Sequence, residues 1–212
     1  MATSTAEAEA ATPATEPIAT FPRHRLTIDR YLAMVEAGIF GEDEPIFLWR
    51  GELVEKMTKG RNHTIVQLVL QNLLLAMMPE THHVEIEAPM VVGETSLPEP
   101  DLSVIRGAIR DYPDRPPGAR DAALVIEVAD SSLRIDSVTK LAAYAFESIP
   151  IYWIVKLAER RIEVCSGPTG PAEPATYRER RTYNRGEEVP VVLDGREVGR
   201  VPVDAIFPAD RG

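Results

Sequence analysis

The run Ala122–Val128, "AALVIEV", constrains the fold more than any other stretch. Leu124, Val125, Ile126 and Val128 are branched and apolar on both sides of an extended chain, the pattern of a strand covered on both faces rather than one that meets water. Side chains alternate along a strand, so Leu124, Ile126 and Val128 share one face and Val125 and Glu127 the other. Glu127 is therefore an anomaly: a carboxylate inside a buried strand costs several kcal/mol, on the order given by transfer energies, unless a partner compensates its charge.

The rest of the chain supplies what such a strand needs. "LTIDRYLAMVEAG" has helical spacing at Leu26, Ile28, Tyr31, Leu32 and Val35, with Gly38 as its stop. "PIFLWRGELVEKM" reads as a β-hairpin turning at Arg50-Gly51. "RNHTIVQLVLQNLLLAMM" is a long helix, apolar over more than half its circumference and closed by Pro79, which suits packing against a sheet. "HHVEIEAPMVV", "DLSVI" and "AALVIEV" are strand candidates, followed by a helix over Asp136–Ser148 and the strands "IYWIVK" and "RIEVC". The last quarter, with turn signals at "GPTGPAEP" and "LDGREVG", reads as short antiparallel strands. This order predicts an α/β fold: a mixed β-sheet flanked by helices, with an N-terminal helix and hairpin and a C-terminal β extension. With 212 residues, one domain over 23–210 is expected, behind a disordered Ala/Thr/Glu/Pro-rich tail over 1–22.

Charge narrows the partners. The formal net charge of −10 argues against broad electrostatic capture of nucleic acid or of an anionic membrane. No apolar run approaches the roughly 18 residues of a membrane span. The single cysteine, Cys165, lies within a strand and suits a reducing cytoplasm.

A second misplaced carboxylate accompanies Glu127. Asp101 stands at the entry of "DLSVI", just after Pro100. If the two strands are neighbours, both acids face one space. At about 4 Å and an effective dielectric near 20 they would repel by about 4 kcal/mol. One must then be protonated, or a cation must sit between them, and oxygen ligands favour Mg²⁺ or Mn²⁺ over zinc. Asp136, Lys140 and Tyr144 follow at intervals of four along one helical stripe, from which a lysine can reach back over the end of the strand. Each residue also has a plainer reading. Asp101 could bond turn amides, Lys140 could pair with Asp136 on an exposed face, and Asp136 could cap its helix. Tyr144 could be packing, and the arginines of "TYRERRTYNR" could form a solvated hairpin face.

The ordered set "GELVE", a histidine in the next helix, "PEPDLSVI", "LVIEVADSS", "D...K...Y" and "PIYWIV" resembles the Uma-type restriction-endonuclease family of the PD-(D/E)XK nuclease superfamily, over residues 26–207. The resemblance implies a restriction-endonuclease-like fold and hydrolysis of DNA phosphodiester bonds with Mg²⁺, or Mn²⁺ in its place. It further implies catalytic Asp101, Glu127 and Lys140, with metal ligands Asp101, Glu127 and Glu52 and a supporting role for His63; Asp136, one turn before Lys140, could also fix that lysine. The lysine usual two residues after the second acid is replaced by Ala129, its place taken by Lys140. Asp130-Ser131-Ser132 stand where the family has Ser-Pro-Ser or Ser-Pro-Thr. A homodimer follows by analogy with nucleases that cut two strands. Two other classes compete: a catalytically inactive nuclease-fold module that binds nucleic acid or a protein, and a carboxylate-pair enzyme acting on a glycoside.

Overall fold

The central strand of the computed structural model, which describes residues 22–41 and 44–209, is the one the sequence singles out: Ala122–Ala129, buried at all eight positions. The tail expected over 1–22 lies, but for its last residue, outside the described residues. In chain order the elements are α1 (Ile28–Glu36), β1 (Ile46–Trp49), β2 (Glu52–Glu55), α2 (Arg61–Met77), β3 (His82–Glu85), β4 (Leu102–Arg106) and β5 (Ala122–Ala129). Then come a π-helical segment (Ile135–Lys140) running directly into α3 (Leu141–Phe146), β6 (Ile151–Lys156), β7 (Arg161–Pro168), β8 (Tyr177–Tyr183), β9 (Glu188–Leu193), β10 (Arg196–Pro202) and α4 (Val203–Ile206).

Six strands form the main sheet in the order β3-β4-β5-β6-β7-β8. Only β5 and β6 run parallel, and the π-helical segment with α3 makes the crossover that a parallel pair requires. The two faces divide as the alternation in β5 predicts. Leu124, Ile126 and Val128 pack with Val66, Leu70 and Leu74 of α2 and with Val189, Val191 and Val201 of the β9–β10 hairpin. Val125 and Ala129 pack on the other side with Leu141, Tyr144 and Ala145. Fully burying a leucine such as Leu70 or Leu74 contributes about 2–3 kcal/mol, so α2 is held by this contact face rather than by propensity alone.

The hairpin forms where expected. Arg50 and Gly51 both have positive φ, 49° and 78°, the backbone that a two-residue turn demands. A Cβ on Gly51 would stand 2.6 Å from the Arg25 Cβ, so close packing of the chain before α1 also requires glycine there. Ile28 and Tyr31 of α1 pack on Leu48 and Leu97, and Thr27 caps the helix by accepting from the Arg30 N–H.

Three local expectations change. The stripe expected on α1 is only half used, since Leu32 and Val35 are exposed. The strand in "HHVEIEAPMVV" stops at Glu85, and beyond it only isolated bridges at Val91 and Val92 form. The helix expected over Asp136–Ser148 is helical from Leu133, ends at Phe146 and contains a wide π-helical turn. π turns arise from single-residue offsets in helical hydrogen bonding, which the spacing of apolar side chains does not encode.

Candidate functional site

Strand register brings the two misplaced acids together. β4 and β5 pair antiparallel with Leu102 opposite Ile126, so Asp101, one residue before, stands opposite Glu127, one residue after. Both are buried, at 4% and 3% exposure. They line a cavity of about 310 Å³ together with His63, Asp136, Lys140 and Lys59.

Asp101 is held on both oxygens. Its Oδ2 accepts from the Val128 backbone N–H at 2.7 Å and lies 3.1 Å from His63 Nε2, which must carry the proton of that bond. Its Oδ1 accepts from Lys59 Nζ at 2.7 Å. Burial pushes this carboxyl up, but the His63 hydrogen bond and the Lys59 charge outweigh it and hold the pKa below the ordinary value.

Glu127 is in the opposite state. Its Oε1 accepts from the Tyr144 hydroxyl at 2.9 Å and lies 2.8 Å from Lys140 Nζ. Burial nevertheless pushes its carboxyl up to about 7, with Asp101 and Asp136 adding to the effect and Lys140 opposing it. Lys140 is clamped between acids, with Nζ also 3.2 Å from Asp136 Oδ1. Burial works against its ammonium, yet Glu127 and Asp136 outweigh it and keep the proton on well above the ordinary lysine range. Asp136 is 1% exposed and accepts from the Ser132 hydroxyl at 2.5 Å. It is thus a buried member of the cluster rather than an exposed helix cap.

Asp101, Glu127, Lys140, His63 and Asp136 therefore meet in one place. Glu52 does not. It sits beside the hairpin turn, 3.1 Å from Arg23, with its side chain 42% exposed and outside the cavity lining. Glu55, three residues on and so on the other face of β2, is the hairpin acid that reaches the wall. The basic strand segment of β8 leaves Arg178, Arg180 and Arg181 exposed, with Arg181 over the Tyr183 ring, and none of them lines the cavity.

Three participants carry no sequence signal. Lys59, in the loop before α2, bridges Asp101 and Glu87, with its Nζ 3.0 Å from Glu87 Oε1. The Gln67 side-chain amide donates to Glu87 Oε1 at 2.7 Å and to the Asp101 carbonyl at 3.0 Å. A loop lysine and a helix glutamine look like solvent-facing residues until the fold closes. Tyr144, read as packing, does pack, and it also holds Glu127.

Among the described residues no three His, Cys, Asp or Glu side chains are gathered as a ready-made metal cage. The donor chemistry still suits one kind of ion. Carboxylates outnumber lysines seven to three along the cavity wall, and the Glu127 carboxyl is pushed up by its acidic neighbours as well as by burial. A hard divalent ion such as Mg²⁺ binds through one or two carboxylates and keeps several waters, which is the donor set that Asp101 and Glu127 supply.

Comparison with known proteins bears on the family and the fold. The model of the Uma2 family, described as "Putative restriction endonuclease", matches residues 28–200. Among solved structures, the crystal structure of "a putative nuclease belonging to DUF820" from Anabaena variabilis ATCC 29413 aligns with a TM-score of 0.62 and 16% identity. The alignment covers 86% of this chain and 97% of that one, and at this identity it shows a shared fold. No curated protein matches the chain.

Proposed function

Because the chain belongs to the Uma2 restriction-endonuclease family, we propose that it is a Mg²⁺-dependent endonuclease hydrolysing DNA phosphodiester bonds. One observation carries the reading: Asp101, one residue before β4, and Glu127 of β5 line one cavity, and the Lys140 ammonium lies 2.8 Å from Glu127 there.

Asp101 and Glu127 would hold the ion, with water completing its shell and Mn²⁺ able to substitute. Bound there, Mg²⁺ supplies Lewis acidity at a phosphoryl oxygen and lowers the pKa of its water. His63 and the Val128 N–H fix Asp101 through Oδ2 and leave Oδ1 facing the cations. The Lys140 proton is held by two acids, so this residue works as an ammonium and not as a general base. Its part is to orient a water or an anionic oxygen and to stabilise charge that develops on the phosphoryl group. Asp136 positions that ammonium, and Tyr144 positions Glu127. The buried Cys165 suits a reducing cytoplasm. Among the described residues no helix is long and apolar enough to cross a membrane. A homodimer would let two copies of the chain cut both strands of a duplex together.

Supercoiled plasmid and single- and double-stranded oligonucleotides incubated with Mg²⁺, Mn²⁺ or chelator test the proposal. Cleavage should require the ion and fall at least a hundredfold in Lys140→Met. Cleavage that persists in excess chelator would refute the proposal and favour the glycosidase-like class of carboxylate chemistry.

A second reading has its own support. Every carboxylate at the centre already has an internal partner: Lys59 on Asp101, and Lys140 with Tyr144 on Glu127. A nuclease-fold module without catalysis would keep such a neutralised core. Mn²⁺ binding with no cleavage of any DNA or RNA form would select it.

A further inference from the structure

The geometry points to Lys59 as a resident second cation, an ammonium bridging Asp101 and Glu87 so that the site loads one divalent ion and not two. The inference rests on Asp101 and Glu127 binding the first ion.

The lone pairs of Asp101 carry the argument. Each carboxylate oxygen can accept about two hydrogen bonds. Oδ2 is committed to the Val128 N–H at 2.7 Å and to His63 at 3.1 Å. Oδ1 alone remains for cations, and Lys59 Nζ takes one side of it at 2.7 Å. The other side of Oδ1 is left for a single ion shared with Glu127. The same ammonium lies 3.0 Å from Glu87 Oε1, so it occupies the space between two carboxylates where a second metal would be bridged. Two-metal phosphodiester enzymes place their ions about 3.5–4 Å apart with a carboxylate between them, and here an amine stands in one of those places.

The arrangement is built rather than incidental. Gln67, 4% exposed, ties Glu87 to the Asp101 main chain through one amide group. Lys59 is thereby presented with a fixed pair of acceptors, although a third of its side chain still meets solvent. Substituting it should empty the position without disturbing the core.

Calorimetric titration of the full chain with Mn²⁺ provides the test, read as ions bound per chain, with melting curves to confirm folding. Wild type should bind one ion. Lys59→Met and Lys59→Gln, which remove the charge and leave both acids, should bind two. Adding Glu87→Gln to Lys59→Met should return the count to one. Two ions in the wild type, one in both single variants at any affinity, or two in the double variant would overturn the assignment. A wild type that binds none brings down the metal reading itself, a result distinct from one ion in every protein.

Discussion

Replacing Glu127 by glutamine should stabilise the protein by about 3 kcal/mol at pH 8 in metal-free buffer. The carboxyl is buried opposite Asp101, and burial with the neighbouring acids pushes it from its ordinary 4.5 to about 7. A tenfold change in acidity corresponds to about 1.4 kcal/mol, so ionising this group in the folded protein costs about 3 kcal/mol more than in the unfolded chain. The unfolded chain releases the proton near 4.5 and the folded protein near 7. Between those values the folded state holds the extra proton, so wild-type stability falls as pH rises through the window and levels off above it. Glutamine keeps the shape of the protonated acid and has nothing to ionise. Urea unfolding of both proteins at pH 5, 6, 7 and 8 in chelator reads the difference. It should grow from under about 1 kcal/mol at pH 5 to about 3 kcal/mol at pH 8. A glutamine variant that is less stable at pH 8, or a gap that does not change with pH, would mean that Lys140 and Tyr144 compensate the carboxylate fully, and the argument from burial would fail. Adding Mg²⁺ at pH 8 should stabilise the wild type and leave the variant unmoved, because a carboxylate is what the ion would bind.

Other perturbations test neighbouring parts of the argument. Lys140→Met should lower kcat by about 10²–10³-fold, the scale of a lost electrostatic donor, with Mn²⁺ binding retained by calorimetry. Asp101, held below the ordinary carboxylate range by His63 and Lys59, contributes stability that is present above the ordinary Asp value and lost as pH falls through its lowered one. Asp101→Asn should therefore flatten the acid limb of the urea profile and abolish Mn²⁺ binding. Gly51→Ala, at φ 78° and with its Cβ 2.6 Å from the Arg25 Cβ, should destabilise by about 1–3 kcal/mol in thermal melts while the folded fraction keeps its metal binding.

What the sequence disclosed and what it withheld follow from the range of each interaction. Glu127 was legible because alternation in a strand is local, and a charge in an all-apolar run has few innocent explanations. Its meeting with Asp101 could be suspected from the same logic, since Asp101 opens the neighbouring apolar run, and the pairing of Leu102 with Ile126 does the rest. Lys140 was legible chiefly through resemblance, because an i,i+4 lysine–aspartate pair is common on solvent-facing helices. Lys59, Gln67 and Glu87 were silent, since their meaning comes from contacts 20 to 42 residues apart, between groups with no pattern of their own. Glu52 misled through parity. It and Glu55 lie on opposite faces of β2, and a motif match does not say which face meets the cavity.

The outermost strand of the sheet bears on how copies of this protein could associate. β8 exposes five consecutive residues, Arg178 to Thr182, three of them arginines, while the opposite border, β3, is only four residues long. Extending the sheet by adding a neighbour's strand beside β8 would strip water from several guanidinium groups, and β3 offers too short a ladder to compensate. Pairing of copies through either border of the six-stranded sheet is thus disfavoured.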